Sequence, residues 1–314
     1  MTRSCFLPDT FTQFAWDSTS LGYLKTCPRL YQYIMIDGWT SSVESAHLRF
    51  GLEYHKALED YDRYRAGGLT SLDATRQVLR ELLFRTADFD PDPDTKAGKY
   101  KNTKSLIQMV INYIDDHQND ACKTFIKADG NPAVELSFSF ELDWGPQKQM
   151  WGPYLLCGHL DRVVDLAGDL YVMDRKSTTS TAGSYFFNQF SPNNQMTLYS
   201  LAAKVILSSP VRGVIIDAAQ ILLTAPYSAF TRGVVYHTPA QLDEWLHDLR
   251  YWLTLAESYS NAGYWPQNDT ACDKFGGCRF REVCSKSSEV REVYLKSSFT
   301  QLLEEDRWNP LKPR

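Results

Sequence analysis

No run of about 18 consecutive apolar residues occurs in this 314-residue chain, so no segment reads as a membrane span. The opening residues, MTRSCFLPDT, lack an apolar h-region and a small-residue cleavage pattern, and no secretory signal is expected there. The expected location is therefore cytoplasmic, where thiols bind metals or stay free rather than pair. A surplus of basic charge is also missing: 33 Lys and Arg against 38 Asp and Glu leave a formal net charge of −5. That argues against wide, non-specific coating of a polyanion, which needs a basic surface. A local basic groove beside a carboxylate-rich site remains open. There is no G-x-x-x-x-G-K-[ST] segment to cradle a nucleotide phosphate, and no internal repeat. What remains is ordinary globular composition, 43% hydrophobic and 23% charged, within reach of one large core with insertions.

Along the chain, residues 9–36 predict a short helix entered at Asp17 or Ser18, with Pro28 breaking it or opening a second turn. Residues 43–65 have apolar positions at three- and four-residue spacing and stop at Gly67 and Gly68, which predicts a longer helix. Two more helices are expected over 72–86 and 103–120, separated by a polar stretch (88–102) too rich in Pro, Asp and Lys to pack. The character then changes. AVELSFSFEL (133–142) alternates as a strand does, and 154–166 and 169–178 are β-rich runs joined by the turn pair Ala167-Gly168. Pro192 is expected at the first position of a helix over 193–207, followed by strands at 212–224 and 230–238 and an amphipathic helix at 241–263. This order predicts an α/β fold around a mixed central β-sheet flanked by helices. It is organised as a helical region (1–130), a core sheet (131–240) and a helix with a cysteine-rich tail (241–314), integrated as one domain.

The segment GHLDRVVDLAGDLYVMDRKST (158–178) carries the chemistry. Side chains two apart on a strand share a face, so Asp174 and Lys176 project together while Met173 and Arg175 point away. Asp161, on the partner strand, faces the same side. Two carboxylates held this close repel unless a cation lies between them, and hard oxygen ligands select Mg²⁺ or Mn²⁺. An adjacent lysine can orient a water and offset charge at a phosphoryl centre. The plain alternative is a solvated hairpin with a surface ion pair.

Gly158-x-x-Asp161 followed by hydrophobic-x-Asp174-x-Lys176-Ser-Thr resembles the core of RecB-like nucleases in the PD-(D/E)xK superfamily. The resemblance implies a restriction-endonuclease-like fold and a metal-dependent DNA nuclease. Asp161, Asp174 and Lys176 would be catalytic, and Asp161, Asp174 and the backbone carbonyl of Arg175 would hold the metal. Gly51-x-x-x-His55 is similar to that family's first motif, which makes His55 a further metal ligand; otherwise it is an interface histidine. Gln195-x-x-x-Tyr199 resembles the family's Q-x-x-x-Y helix motif and implies substrate binding by both residues, whose spacing puts them on one helical face. Glu135 stands where relatives carry a Val-Glu pair and has at most a supporting part.

The seven cysteines are odd in number, and three form Cys272-x5-Cys278-x5-Cys284 beside Gly276 and Gly277, a loop able to wrap a metal. A fourth thiolate is needed. The setting of Cys27, Leu24-Lys-Thr-Cys27-Pro-Arg-Leu-Tyr31, resembles the segment of AddB-like and CRISPR-associated nucleases in which one N-terminal cysteine joins three C-terminal ones. By that resemblance the four hold a 4Fe–4S cluster that ties the two ends of the chain together. Four thiolates also suit zinc. Cys5, Cys122 and Cys157 have no partner at ligand spacing and are expected to be small buried or free thiols.

The implied substrate is DNA, as single strands or duplex ends, cut by an exonuclease of phage or CRISPR type working with a separately supplied recombinase or helicase. Two rivals are an idle nucleic-acid-binding subunit and a structure-specific endonuclease on the same fold. Tyr185, Phe186, Phe187 and Phe190 could stack bases, although such clusters are usually core. The loop at 88–103 and the segment 182–192 are the expected gates of the substrate channel.

Overall fold

The computed structural model describes residues 4–42, 44–144, 153–207, 209–273 and 277–312. After a two-residue strand, β1 (Ala15–Trp16), Asp17 caps α1 (Ser18–Thr26) by accepting from Ser20 N at 2.8 Å. Pro28 takes the first position of α2 (Pro28–Tyr31), where its missing N–H costs nothing. β2 (Trp39–Ser41) follows, then α3 (Ala46–Ala66), capped by Ser45 and ended at Gly67, and α4 (Ser71–Arg85), capped by Thr70. Next come α5 (Lys96–Tyr100) and α6 (Thr103–Asp116), whose cap Asn102 forms a reciprocal box with Ser105. The β-rich centre holds β3 (Lys123–Thr124), β4 (Val134–Glu141), β5 (Leu155–Leu166) and β6 (Asp169–Thr178). Beyond it lie α7 (Ser184–Asn188), α8 (Asn194–Ile206), β7 (Val211–Ile221), β8 (Ser228–Val235) and α9 (Pro239–Ala262). The chain closes with α10 (Arg281–Cys284), α11 (Ser288–Ser298) and β9 (Phe299–Gln301). Among the described residues no helix is long and apolar enough to cross a membrane.

The chain forms two compact units, each built from separate stretches. The first comprises Met1–Val43, Ser137–Gly158 and Pro239–Arg314. In it β1 pairs in parallel with the start of β5, and β2 pairs antiparallel with β9. Trp308 Nε1 donates to Asp17 Oδ2 at 2.8 Å, and Tyr33, Trp39, Phe280, Val283 and Leu295 form a core. Segments from early and late in the chain thus meet within this unit.

The second unit comprises Glu44–Leu136 and His159–Thr238. β5 and β6 form an antiparallel hairpin, β6 and β7 run parallel, and β7 and β8 are antiparallel, giving the expected mixed sheet. Helices cover it, as burial on both faces of β6 demands. Phe50, Tyr54 and Leu58 of α3, Leu82 of α4 and Leu106 and Met109 of α6 pack with Ala219 and Ile221 of β7. Strand alternation puts those β7 residues on the side away from Asp174, and α8 covers the Asp174 side. Ala167 and Gly168 both have positive φ (55° and 92°), the backbone of a two-residue hairpin turn, and Asp165 Oδ1 accepts from Gly168 N at 2.8 Å.

Two local expectations are corrected. The polar stretch 88–102 does pack: Phe89 enters the helical core, α5 forms within it, and Lys101 is buried. Composition hid this because one aromatic anchor and one cap, Thr95, suffice to fix a short segment. Pro192 does not open α8; Asn193 caps it, accepting from Gln195 N and Met196 N. The grouping of the chain also differs from three consecutive segments, because strand pairing joins stretches far apart in sequence.

Candidate active site

In the ladder between β5 and β6, Arg162 lies opposite Met173, so the next antiparallel step sets Asp161 across from Asp174. On its other side Asp174 pairs with Ile216 of β7. Lys176 shares the face of Asp174, with Nζ 3.0 Å from Oδ1 and 2.8 Å from Oδ2. His55, from α3, places Nδ1 3.2 Å from Asp161 Oδ2. From α8, Gln195 accepts from Lys176 Nζ at 3.2 Å and donates to Tyr199 Oη at 2.9 Å, with its Nε2 3.5 Å from Asp174 Oδ1. The structure therefore brings together Asp161, Asp174, Lys176, His55, Gln195 and Tyr199. Side-chain exposure is graded: 0% for Asp174, 12% for Asp161, 27% for Lys176 and 28% for His55. Solvent reaches the cluster from the lysine and histidine.

Electrostatics separates the two carboxylates. Burial pushes Asp174 up to about 6, and the charge of Asp161 pushes the same way against the pull of Lys176. Burial acts on Asp161 as well, but His55 and Lys176 outweigh it and hold that carboxyl below the usual range. His55 and Lys176 are both raised, since their carboxylate partners overcome the cost of burial. Burial, reinforced by the carboxylates, keeps the Tyr199 phenol protonated.

Side chains on the opposite face of the sheet hold the site in place, and these the sequence reading missed. Arg175, next to Asp174, turns away and donates to Asp62 Oδ2 at 2.7 Å, with its guanidinium 5.5 Å from the Tyr113 ring centre. Arg162 Nε lies 3.4 Å from the same Asp62 oxygen, and Arg232 bridges Asp217 (3.1 Å) and Asp120 (2.7 Å). Three guanidiniums meet three carboxylates, so this buried layer is neutral. One signal was readable: Asp62 follows His55 by two helical turns, hence on the same side of α3. Glu135, within electrostatic reach of Tyr199, adopts a left-handed backbone (φ 49°), a strain of about 1–3 kcal/mol that must be held by its surroundings.

The family model of the PD-(D/E)XK nuclease superfamily matches residues 17–285, most of the chain. The chain belongs to that superfamily. Among solved structures it is similar to a protein of Eubacterium rectale to which an exonuclease role has been ascribed, with 12% identity and a TM-score of 0.52. That match covers 89% of this chain and 92% of the other, and at such identity it speaks for the fold alone. The structure titled SSO0001, at 12% identity, covers 75% of this chain and 74% of its own with a TM-score of 0.31, too low to carry weight. No curated protein matches in sequence.

Members of this superfamily are metal-dependent, and two observations bear on whether these residues fit a divalent cation. Asp161 Oδ2 and Asp174 Oδ2 are buried, yet neither accepts a well-aligned hydrogen bond despite the cation beside each. Buried acceptors are normally satisfied, so two such oxygens on adjacent strands suit a hard metal ion. Among the described residues, no three His, Cys, Asp or Glu side chains are already gathered around a single point; His55 and Lys176 hold the carboxylates instead.

In the first unit the four cysteines line a common cavity, although among the described residues no three of them are gathered around one point. Cys27, Cys272, Cys278 and Cys284 line one cavity of about 180 Å³, walled by Leu30, Ile34 and Phe280. Asn268 N donates to Cys27 Sγ at 3.3 Å, and Cys278 N to Cys272 O at 2.8 Å, so backbone amides help fix the segments that carry the cysteines. Gly276 lies outside the described residues. Cys5, Cys122 and Cys157 are buried elsewhere, and burial pushes Cys5 up to about 12, which leaves it an inert thiol.

Proposed function

We propose that this chain is a divalent-metal-dependent DNA nuclease that works from strand ends, of the RecB/AddB-like branch with a structural 4Fe–4S cluster. The supporting observation is the convergence of Asp161 and Asp174 from neighbouring strands, each with a buried, poorly satisfied oxygen, beside Lys176 and His55. Asp161, Asp174, His55 and the backbone carbonyl of Arg175 are the groups that would hold Mg²⁺ or Mn²⁺. Such an ion, when bound, polarises the phosphoryl oxygen and lowers the pKa of a bound water. Lys176 would orient the attacking water and donate to the phosphoryl oxygen as charge builds on it. Gln195, hydrogen-bonded to Lys176, Asp174 and Tyr199, would fix the ammonium in line with that water and contact the substrate strand at its exposed edge. Water gives up a proton to solvent as its oxygen bonds to phosphorus, the bond from phosphorus to the ester oxygen breaks, and the freed oxygen takes a proton from solvent.

The cysteine set supports a cluster over a single zinc. The four thiols share one cavity with Leu30, Ile34, Phe280 and other side chains, which leaves room for a group larger than a single ion, whereas zinc draws four sulfurs to about 2.3 Å from one point. The test is a digest of end-labelled single- and double-stranded DNA with Mg²⁺ or Mn²⁺, alongside Asp174→Ala and Lys176→Ala. Both variants should be folded and inactive; retained cleavage by Asp174→Ala would overturn the site assignment. A visible spectrum and metal analysis of freshly purified protein decide the cluster, and zinc without iron would reject it.

A further inference from the structure

We propose that α7 is a base-stacking platform, on which an unpaired nucleotide next to the scissile phosphate lies against the ring of Tyr185. This rests on the nuclease reading above and names the form of substrate it takes: a single strand or a frayed end.

Strand register locates the platform. Asp174 pairs with Ile216, and Ile216 with Gly233 of β8, so the three residues form one row across the sheet. Strands are about 4.8 Å apart, which puts Gly233 about 10 Å from Asp174 on the same face. That glycine is a socket. A Cβ built there would lie 2.8 Å from Cε1 and 2.9 Å from Cγ of Phe187, so the Phe187 ring rests directly on the β8 backbone. Phe186 packs edge-on to Phe187 (5.3 Å) and Phe190 (5.4 Å), and Phe190 is buried. The phenylalanines therefore anchor the segment on the catalytic face. Tyr185, beside them, is 93% exposed.

Isolated exposed aromatics are common and by themselves mean little. Here three further facts bear on the occupant. The ring is borne by an anchored element, so little entropy is lost when a base settles on it. The segment lies in the chain between Lys176 on β6 and Gln195 on α8, both in the candidate site. And although the whole chain is acidic, no Asp or Glu occurs between Asp174 and Asp217. The surface made by α7, its flanking loops and α8 thus presents no carboxylate of its own to repel a phosphodiester strand, while Lys176 and Lys204 lie within that stretch. A base has a π-face for tyrosine whatever its identity, but only when it is out of the duplex stack.

The test uses the whole protein and single-stranded oligonucleotides carrying one abasic position moved along the strand. Tyr185→Ala should raise KM for the intact strand by about 5- to 150-fold, the loss of one base–aromatic stack, with kcat little changed. Tyr185→Phe should stay near wild type. For wild type, one abasic position should be penalised, and in Tyr185→Ala that penalty should vanish. A KM within twofold of wild type in Tyr185→Ala, or an abasic penalty that survives the substitution, overturns the platform. A second readout does not need turnover: with Ca²⁺, an oligonucleotide bearing 2-aminopurine at that position should be quenched by wild type and not by Tyr185→Ala. Tyr185-dependent quenching without cleavage in Mn²⁺ would leave the platform standing and remove the nuclease reading. Failure of wild type to bind any oligonucleotide would overturn both.

Discussion

Asp174 carries a charge in a place with no exposure to solvent, and burial raises its carboxyl to about 6. A folded-state value above the unfolded one means that the native state binds the extra proton between about pH 4 and 6. Stability therefore falls as pH rises through that window, and the whole penalty is present at neutral pH. Asp174→Asn should raise stability by about 1–3 kcal/mol at pH 7 while abolishing cleavage, and the gain should shrink as pH falls from about 6 to about 4 and be gone below that. Denaturant melts at pH 7 and pH 4 check this; equal stability of the two proteins at pH 7 would contradict it. Lys101 poses the converse case. It is 5% exposed, its Nζ donates to Ser177 Oγ at 3.3 Å and lies 5.3 Å from the Phe50 ring centre, and burial lowers it to about 8. Below that value both folded and unfolded states are protonated and the full cost of the buried charge is paid. Lys101→Met should thus stabilise by about 1–3 kcal/mol at pH 7, with the advantage fading as pH climbs from about 8 toward 10.5.

At the scale of elements, glycine placement tells packing apart from chemistry. Gly158 opens the G-x-x-D motif, yet its requirement is steric: an added Cβ would sit 2.6 Å from Cζ of Phe138. Gly158→Ala should cost about 1–3 kcal/mol by overpacking, and Gly158→Ala combined with Phe138→Leu should recover much of it. Thermal melts of the single and double variants measure the coupling; additive losses would show that the glycine serves another purpose. The β6 strand illustrates a related division. Its alternation was legible from sequence, so the shared face of Asp174 and Lys176 follows from the period of a strand. Its anchoring by Arg175 to Asp62, a contact across more than 100 residues, leaves no periodic trace.

For the molecule as a whole, the first unit gathers residues from early and late in the chain, and Cys27 lines one cavity with the three cysteines of the tail. A group bound there closes a loop of over 240 residues, worth on the order of 5–6 kcal/mol if it acts as a covalent cross-link of that length does. If the proposed cluster is present, Cys278→Ser should give colourless protein that melts earlier by a matching amount, and oxidative bleaching of the wild type should do the same. Unchanged melting after loss of colour would show that the proposed cluster is not a staple.

Local rules determined much of this protein: helix caps at Asp17 and Ser45, the β5–β6 hairpin, the common face of Asp174 and Lys176, and the i, i+4 pairing of Gln195 with Tyr199. These depend on periods of 2 and 3.6 residues and on turn chemistry, all written in a few consecutive positions. Tertiary structure alone decided the rest. It packed Phe89 and α5 out of a polar stretch, set Phe187 into the Gly233 socket, and paired Asp62 and Asp120 with arginines distant in the chain. Such contacts are fixed by which surfaces meet once the sheet forms, and a charge pair or a socket between remote residues has no spacing that a linear sequence can display.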